Sequence, residues 1–201
     1  GKTTLAVRVA HRMAARYPDA QLFLPFPGDG PGAVAEALDR LLRMLGVPAA
    51  RIPAGTGERA RLWRAEMANR RAVIVLDDVP AADQLTPIVL ASGDSLTLVT
   101  SRQDTDWPGQ CVLRLEPLGA GEAGSLLQRA AGTGIGQDVD KMTTVASLCG
   151  GWPLAIRVAA SRLRARDGDL DQLINELEDV HSGRAESGDT ARRIFSCLLY
   201  T

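Results

Sequence analysis

Lysine is almost absent from this 201-residue sequence: Lys2 and Lys141 are its only two, and arginine carries the remaining positive charge. Basic and acidic residues nearly balance, 23 against 24, and they are interspersed along the chain. A surface that grips nucleic acid carries a basic stripe. None is present, so any DNA binding is expected only through domains outside this segment. Aromatics make up 4% of the residues, and Trp63, Trp107 and Trp152 are too scattered to form a base-stacking platform. The three cysteines, Cys111, Cys149 and Cys197, lie far apart with no C-x-x-C pair. That spacing indicates neither a zinc site nor a disulfide framework, and it fits buried thiols in a reducing cytosol. No apolar run approaches the roughly 18 residues that a transmembrane helix needs, so no membrane partner is expected. No signal peptide is visible, although the first residue is Gly1 and not Met. The expected location is cytoplasmic. Usage rich in Arg, Ala and Gly fits a GC-rich bacterial coding sequence.

What the sequence does contain starts at its first residue. Gly1-Lys2-Thr3-Thr4 reads as the tail of a P-loop, G-x-x-x-x-G-K-[ST], whose first glycine and spacer residues would lie upstream. Such a loop wraps phosphates with backbone N–H groups, and the helix that follows adds its positive N-terminal dipole. Lys2 would reach the β- and γ-phosphates, Thr3 would offer a hydroxyl to Mg²⁺, and Thr4 would sit near the α-phosphate. The plainer alternative is that these residues only open an amphipathic helix. A second element favours the chemistry. Ala72-Val73-Ile74-Val75-Leu76-Asp77-Asp78 is an apolar run ending in paired carboxylates, the form of a Walker B strand. Asp77 is the expected magnesium-ordering carboxylate, and Asp78 the candidate to orient or deprotonate an attacking water. Two adjacent acids before Val79-Pro80 can also serve as turn formers or helix caps.

The pattern along the chain alternates. Leu5, Val9 and Met13 recur at helical spacing, and that helix ends near Tyr17-Pro18. Gln21–Phe26 reads as a strand, with Pro25 pushing it toward a sheet edge. Helical stripes follow at Val34–Leu45 and from Leu62 to Asn69. The continuous apolar run Ala72–Leu76 suits a parallel strand buried on both faces. A short helix is expected over Ala82–Leu90, a strand over Ser95–Thr100, and a last strand over Val112–Leu115. Beyond Pro117 strands cease. Helices are expected at Glu122–Ala131, Val139–Cys149, Leu154–Ala165, Leu170–Val180 and Ala191–Tyr200, with Asp169 as an N-cap. The fold class is α/β, a parallel sheet flanked by helices followed by a small all-helical domain, with domains at 1–117 and 118–201.

Two further stretches stand out. Arg102 follows the strand Leu96–Thr100 directly, at the carboxyl end where open parallel sheets line a ligand crevice. A guanidinium there can fork onto a γ-phosphate, or it is a solvated surface residue. Thr100 and Ser101 are placed to help hold phosphate or water. Cys149-Gly150-Gly151-Trp152-Pro153-Leu154 places two glycines before a proline suited to a first helical turn, a helix corner. His11 and His181 have no partner pattern and read as surface or packed residues.

Taken in order, Gly1-Lys2-Thr3-Thr4, Val73–Asp78, Leu98-Val99-Thr100-Ser101-Arg102 and Gly151-Trp152-Pro153-Leu154 resemble the NB-ARC module of STAND-class signalling P-loop NTPases. Large bacterial transcriptional regulators are the members it resembles most. The resemblance implies a P-loop NTPase fold and an ATP/ADP switch. Gly1, Lys2, Thr3, Thr4 and Asp77 would hold nucleotide, and Thr3 and Asp77 would hold Mg²⁺. Arg102 would sense the γ-phosphate from the T-T/S-R sensor motif, and with Asp78 would serve catalysis. Pro153 would pack on adenine from the G-L-P-L motif, where Trp152 replaces the usual Leu. It further implies an ADP-bound resting state, slow ATP hydrolysis as a reset and self-association when activated. The chain would stop where a winged helix begins.

Two other readings stay open. One is a nucleotide-binding oligomerisation scaffold with negligible hydrolysis. The other is an unrelated P-loop ATPase, disfavoured by Asp77-Asp78 in place of Asp-Glu and by the lack of an L-S-G-G-Q signature. The strand before the P-loop would be central to the sheet, so residues 1–201 alone are expected to be poorly stable.

Overall fold

A computed structural model describes residues 1–30, 32–80, 85–89, 94–103, 110–132, 138–165 and 168–182. The chain divides into two compact units, Gly1–Leu113 and Arg114–Thr201.

In the first unit three parallel strands, β1 (Ala20–Pro25), β2 (Ala72–Asp77) and β3 (Leu96–Val99), form a sheet in the order β1-β2-β3. The apolar run places β2 in the centre, where Ala72 through Leu76 are all buried. Alternation divides its side chains between two faces. Ala72, Ile74 and Leu76 enter the larger core with Leu38, Leu41, Leu42, Trp63 and Met67. Val73 and Val75 meet Ala6 on the other face. Pro25, which cannot donate to a ladder, ends the edge strand β1.

Helix α1 (Lys2–Met13) packs on the Val73–Val75 face. Helices α2 (Ala33–Met44) and α3 (Thr56–Met67) connect β1 to β2 and cover the opposite face. Arg59 ties α3 to α2, donating through Nε to the Pro53 carbonyl at 2.6 Å and through Nη1 to the Ala35 carbonyl at 2.8 Å. Trp63 is fully buried, and its indole N–H donates to the Ile88 carbonyl at 3.0 Å. That bond holds the short helix α4 (Thr86–Val89) against the core and satisfies the one polar atom of the ring. The remainder of the expected helix Ala82–Leu90 lies outside the described residues.

One expected strand does not form. Residues 111–119 carry no regular structure, and Val112, Leu113 and Leu115 are exposed, by 54%, 73% and 39%. Apolar alternation is a local signal, but a strand exists only where a neighbour completes its hydrogen bonds. No strand among the described residues pairs with this segment.

The second unit contains α5 (Ala120–Ala131), α6 (Val139–Leu148), α7 (Pro153–Ala165) and α8 (Leu170–His181). Its core is rich in alanine: Ala123, Ala131, Ala146, Ala155, Ala159 and Ala160 are buried beside Leu127, Ile156 and Leu163. Asp138 caps α6, accepting from the amides of Asp140 and Lys141 at 3.1 Å each. Asp169 caps α8 as its position suggested, accepting from Gln172 N at 3.0 Å. Leu170, Leu173 and Leu177 of the α8 stripe are buried, with Ile174 packed beside them. The expected helix Ala191–Tyr200 lies outside the described residues. No helix among the described residues is long and apolar enough to cross a membrane.

Candidate functional site

Three chain segments meet where the strands β2 and β3 end. Helix α1 brings its first turn there. Gly1 is its N-cap, no side chain caps it, and no acidic residue lies in its first turn. The first intrahelical bond recorded is Leu5 N to Gly1 O at 3.1 Å. The amides of Lys2, Thr3 and Thr4 precede that bond, and a helix leaves such N-terminal donors without intrahelical partners. Lys2, Thr3 and Thr4 are exposed. The helix start thus presents N–H groups, a lysine and two hydroxyls, with no carboxylate of its own first turn to compete for them.

Asp77, the last residue of β2, receives two hydroxyls. Thr3 Oγ1 donates to Asp77 Oδ1 at 2.7 Å, and Thr100 Oγ1 donates to the same oxygen at 2.6 Å. These are the lengths of charge-assisted O–H···O⁻ bonds. The parallel register accounts for the second. Leu76 is the partner of Val99, so the next residue along β3 stands beside Asp77.

Asp78 lies one residue beyond and is the one non-glycine with positive φ among the described residues, at φ 57. Asp tolerates this left-handed region better than most residues. Here bonds to Thr100 hold it: Asp78 N donates to Thr100 Oγ1 at 2.9 Å, Val79 N donates to Thr100 O at 2.9 Å, and Thr100 N donates to Leu76 O at 2.9 Å. The turn aims the Asp78 carboxylate at Arg102, whose Nε donates to Oδ1 at 3.1 Å. Both side chains are more than half exposed. The turn-forming alternative for Asp78 is therefore met together with a charged contact. Ser101 is used differently, its Oγ accepting from Gln103 N at 3.1 Å within a turn.

Thr3, Asp77, Asp78 and Arg102, singled out in the sequence, thus converge with Thr100. Gly1, Lys2 and Thr4 share the helix turn that carries Thr3. Pro153 belongs to the second unit, where it is half-buried and opens α7. There Gly150 and Gly151 have φ 60 and 69. A Cβ on Gly151 would lie 2.5 Å from the Leu118 carbonyl oxygen, and Leu118 N donates to Gly151 O at 2.9 Å. The second glycine therefore answers to the close passage of the chain entering α5. Trp152 is half-buried against the helical core. A cavity of about 200 Å³ opens at this corner, lined in part by Leu118, Ala120, Ser147 and Gly150.

No cluster of three or more His, Cys, Asp or Glu side chains suited to a metal occurs among the described residues. Thr3 and Asp77 instead offer a hydroxyl and a carboxylate close together. This is an oxygen donor set of the kind Mg²⁺ takes when water and phosphate complete its shell. The residues fit that ion better than any all-protein cage. Cys149 is buried, and desolvation pushes its thiol up to about 12. Cys111 is exposed, and His11 lies on the exposed side of α1.

The pairing of Thr100 with Asp77 was the relationship that sequence reading missed. Its signal was present: a threonine directly after a strand whose register sets it beside the first carboxylate of the Asp77-Asp78 pair.

No family model matches the chain. Over 170 residues it is 39% identical to the regulatory protein AfsR of Streptomyces griseus, an alignment covering 83% of this chain and 18% of that protein. It is 38% identical over 170 residues to the regulatory protein AfsR of Streptomyces coelicolor, covering 83% of this chain and 17% of that protein. The chain is thus homologous to a segment of these regulatory proteins and spans less than a fifth of their length.

Proposed function

We propose that this segment is the ATP/ADP-binding switch of a bacterial STAND-type transcriptional regulator, a P-loop NTPase module of the NB-ARC kind. The observation that carries the reading is the 2.7 Å hydrogen bond from Thr3 Oγ1 to Asp77 Oδ1. It joins the end of a Gly-Lys-Thr helix start to the end of the central strand, 74 residues away. Homology to a segment of a regulatory protein supplies the context.

In this reading the free amides at the start of α1 and Lys2 bind the phosphates. Thr3 and Asp77 would hold Mg²⁺, which when bound neutralises phosphate charge and fixes its geometry. Arg102 supplies the contact that depends on the γ-phosphate, and Pro153 packs on the base. A switch needs contacts that differ between its two ligand states, and Arg102 is the group whose contact differs. Asp78 orients the attacking water, and slow hydrolysis restores the ADP form. Activation leads to self-association, and any contact with DNA is made by other domains.

One observation favours a second reading, a module that holds nucleotide with negligible turnover. The Asp78 carboxylate is already engaged by Arg102, so it is occupied where it would have to orient a water. Phosphate release by wild type and by Asp78→Ala separates the two. Equal, near-background rates support the scaffold, and a rate lost in the variant supports hydrolysis.

The test of nucleotide binding is the content of the gently purified full-length protein. After denaturation, the released base and phosphates are identified by chromatography for wild type and for Lys2→Ala. Near-stoichiometric ADP in wild type, lost in the variant, is the expected result. No retained nucleotide, together with no ATP binding on titration with Mg²⁺, would overturn the proposal.

A further inference from the structure

The nucleotide-site reading uses Asp77, Asp78 and Arg102 but leaves open what sets their geometry. Thr100 is the only polar residue among the buried side chains described in full, with 6% of its surface exposed. A hydroxyl has one proton to give and lone pairs to receive. An ionised carboxylate can only accept, so the Thr100 proton goes to Asp77 Oδ1 at 2.6 Å. The lone pairs are then left for the Asp78 amide, which reaches them at 2.9 Å. Neither bond can reverse direction. One hydroxyl therefore fixes the rotamer of the first carboxylate and the left-handed backbone that carries the second.

The backbone of Thr100 reinforces this through its amide to Leu76 O and its carbonyl from Val79 N, both at 2.9 Å. Arg102, two residues on, receives the Asp78 carboxylate that this turn presents. The three residues thus share one buried support, whose hydroxyl meets the Asp77 carboxylate and the Asp78 backbone amide directly.

We propose that Thr100 is a positioning residue for the site, aligning Asp77 and Asp78 through a single hydroxyl. The proposal rests on the nucleotide-binding reading for its consequence, not for its geometry. Partners that orient a metal-ordering carboxylate typically change metal affinity by about 10–100-fold when removed. A support for Asp77 acts on binding that depends on the metal, while a general structural role would weaken all binding alike.

The experiment compares Thr100→Val, which keeps the shape and deletes the hydroxyl, with Thr100→Ser, which keeps the hydroxyl and deletes a methyl. Both are made in the full-length protein. ATP affinity is measured with Mg²⁺ and with EDTA. Hydrogen–deuterium exchange of the peptide covering Asp78 is followed without nucleotide. The expected result for Thr100→Val is a loss of about tenfold or more in affinity with Mg²⁺, little change in EDTA, and faster exchange at Asp78. Thr100→Ser should restore both. If Thr100→Val matches wild type in exchange and in Mg²⁺-dependent affinity, the proposal is wrong. It is equally wrong if Thr100→Ser fails as badly as Thr100→Val, because the hydroxyl is then not the cause, and this arm holds even if the valine variant does not fold. A wild type that binds no ATP defeats the nucleotide reading, and the exchange comparison then still decides whether the hydroxyl holds the Asp78 turn.

Discussion

Arg102 Nε donates to Asp78 Oδ1 at 3.1 Å, across a turn in which Asp78 adopts φ 57. Arg102 and the second carboxylate of the Asp77-Asp78 pair are thus partners of each other. A γ-phosphate would offer Arg102 a more highly charged acceptor, so binding of ATP and the Asp78–Arg102 pair are expected to compete. Both groups are largely exposed, and exposed pairs contribute only about 0–1 kcal/mol. A phosphate is therefore expected to win that competition.

The first prediction follows from that competition. Asp78→Asn removes the charge that holds Arg102 and should raise affinity for ATP relative to ADP. The exposed-pair range caps the size at about fivefold. Arg102→Ala should abolish the preference and leave ADP affinity near wild type. Calorimetric titration with each nucleotide measures both. A preference unchanged in Asp78→Asn would show that the ion pair does not restrain the arginine.

A second prediction concerns the helix corner. Gly151→Ala places a Cβ where the Leu118 carbonyl oxygen would be 2.5 Å away, at a residue with φ 69. The left-handed backbone alone costs a non-glycine roughly 1–2 kcal/mol, and the contact is with backbone that cannot swing aside. The variant should unfold earlier in denaturant by more than that amount. Gly57→Ala, at an exposed helical position with nothing within 4 Å of the added atom, should be neutral or mildly stabilising. Chemical denaturation of the two variants against wild type gives the comparison, and equal midpoints would refute the argument.

The third prediction is one of pH. Burial raises the Cys149 thiol from an ordinary value of 9.0 to about 12. A group whose folded value lies above its unfolded value favours the folded state fully below the lower value. Its contribution fades as pH rises from 9.0 through about 12. Near neutral pH the folded protein should therefore leave Cys149 unalkylated while the exposed Cys111 reacts. Iodoacetamide labelling read by peptide mass spectrometry resolves the two sites. Cys149 should label in denaturant at a rate near that of Cys111, and rapid labelling of Cys149 in the native protein would contradict its burial.

Much of the architecture was legible because it is local. The apolar run Ala72–Leu76 specified a strand buried on both faces, and it became the sheet's centre. The Leu170, Leu173, Leu177 stripe and Asp169 specified a capped helix with a buried side. These follow from periodicity and side-chain chemistry within a dozen or so residues. Val112–Leu115 has equally good strand composition and forms none, because pairing depends on a neighbour that composition cannot supply.

The site divides along the same line. The residue types by themselves determined which groups were available: a lysine and two threonines at a helix start, two adjacent carboxylates, an arginine after a strand. Only the tertiary structure decided their arrangement. Parallel register set Thr100 beside Asp77 from 23 residues away. The hydrogen bonds of that one threonine turned Asp78 into the left-handed region and toward Arg102. At the other corner, the passage of Leu118 made Gly151 a requirement. Sequence specifies chemistry and short-range geometry, whereas contacts between distant segments arise only when the buried sheet brings their ends together.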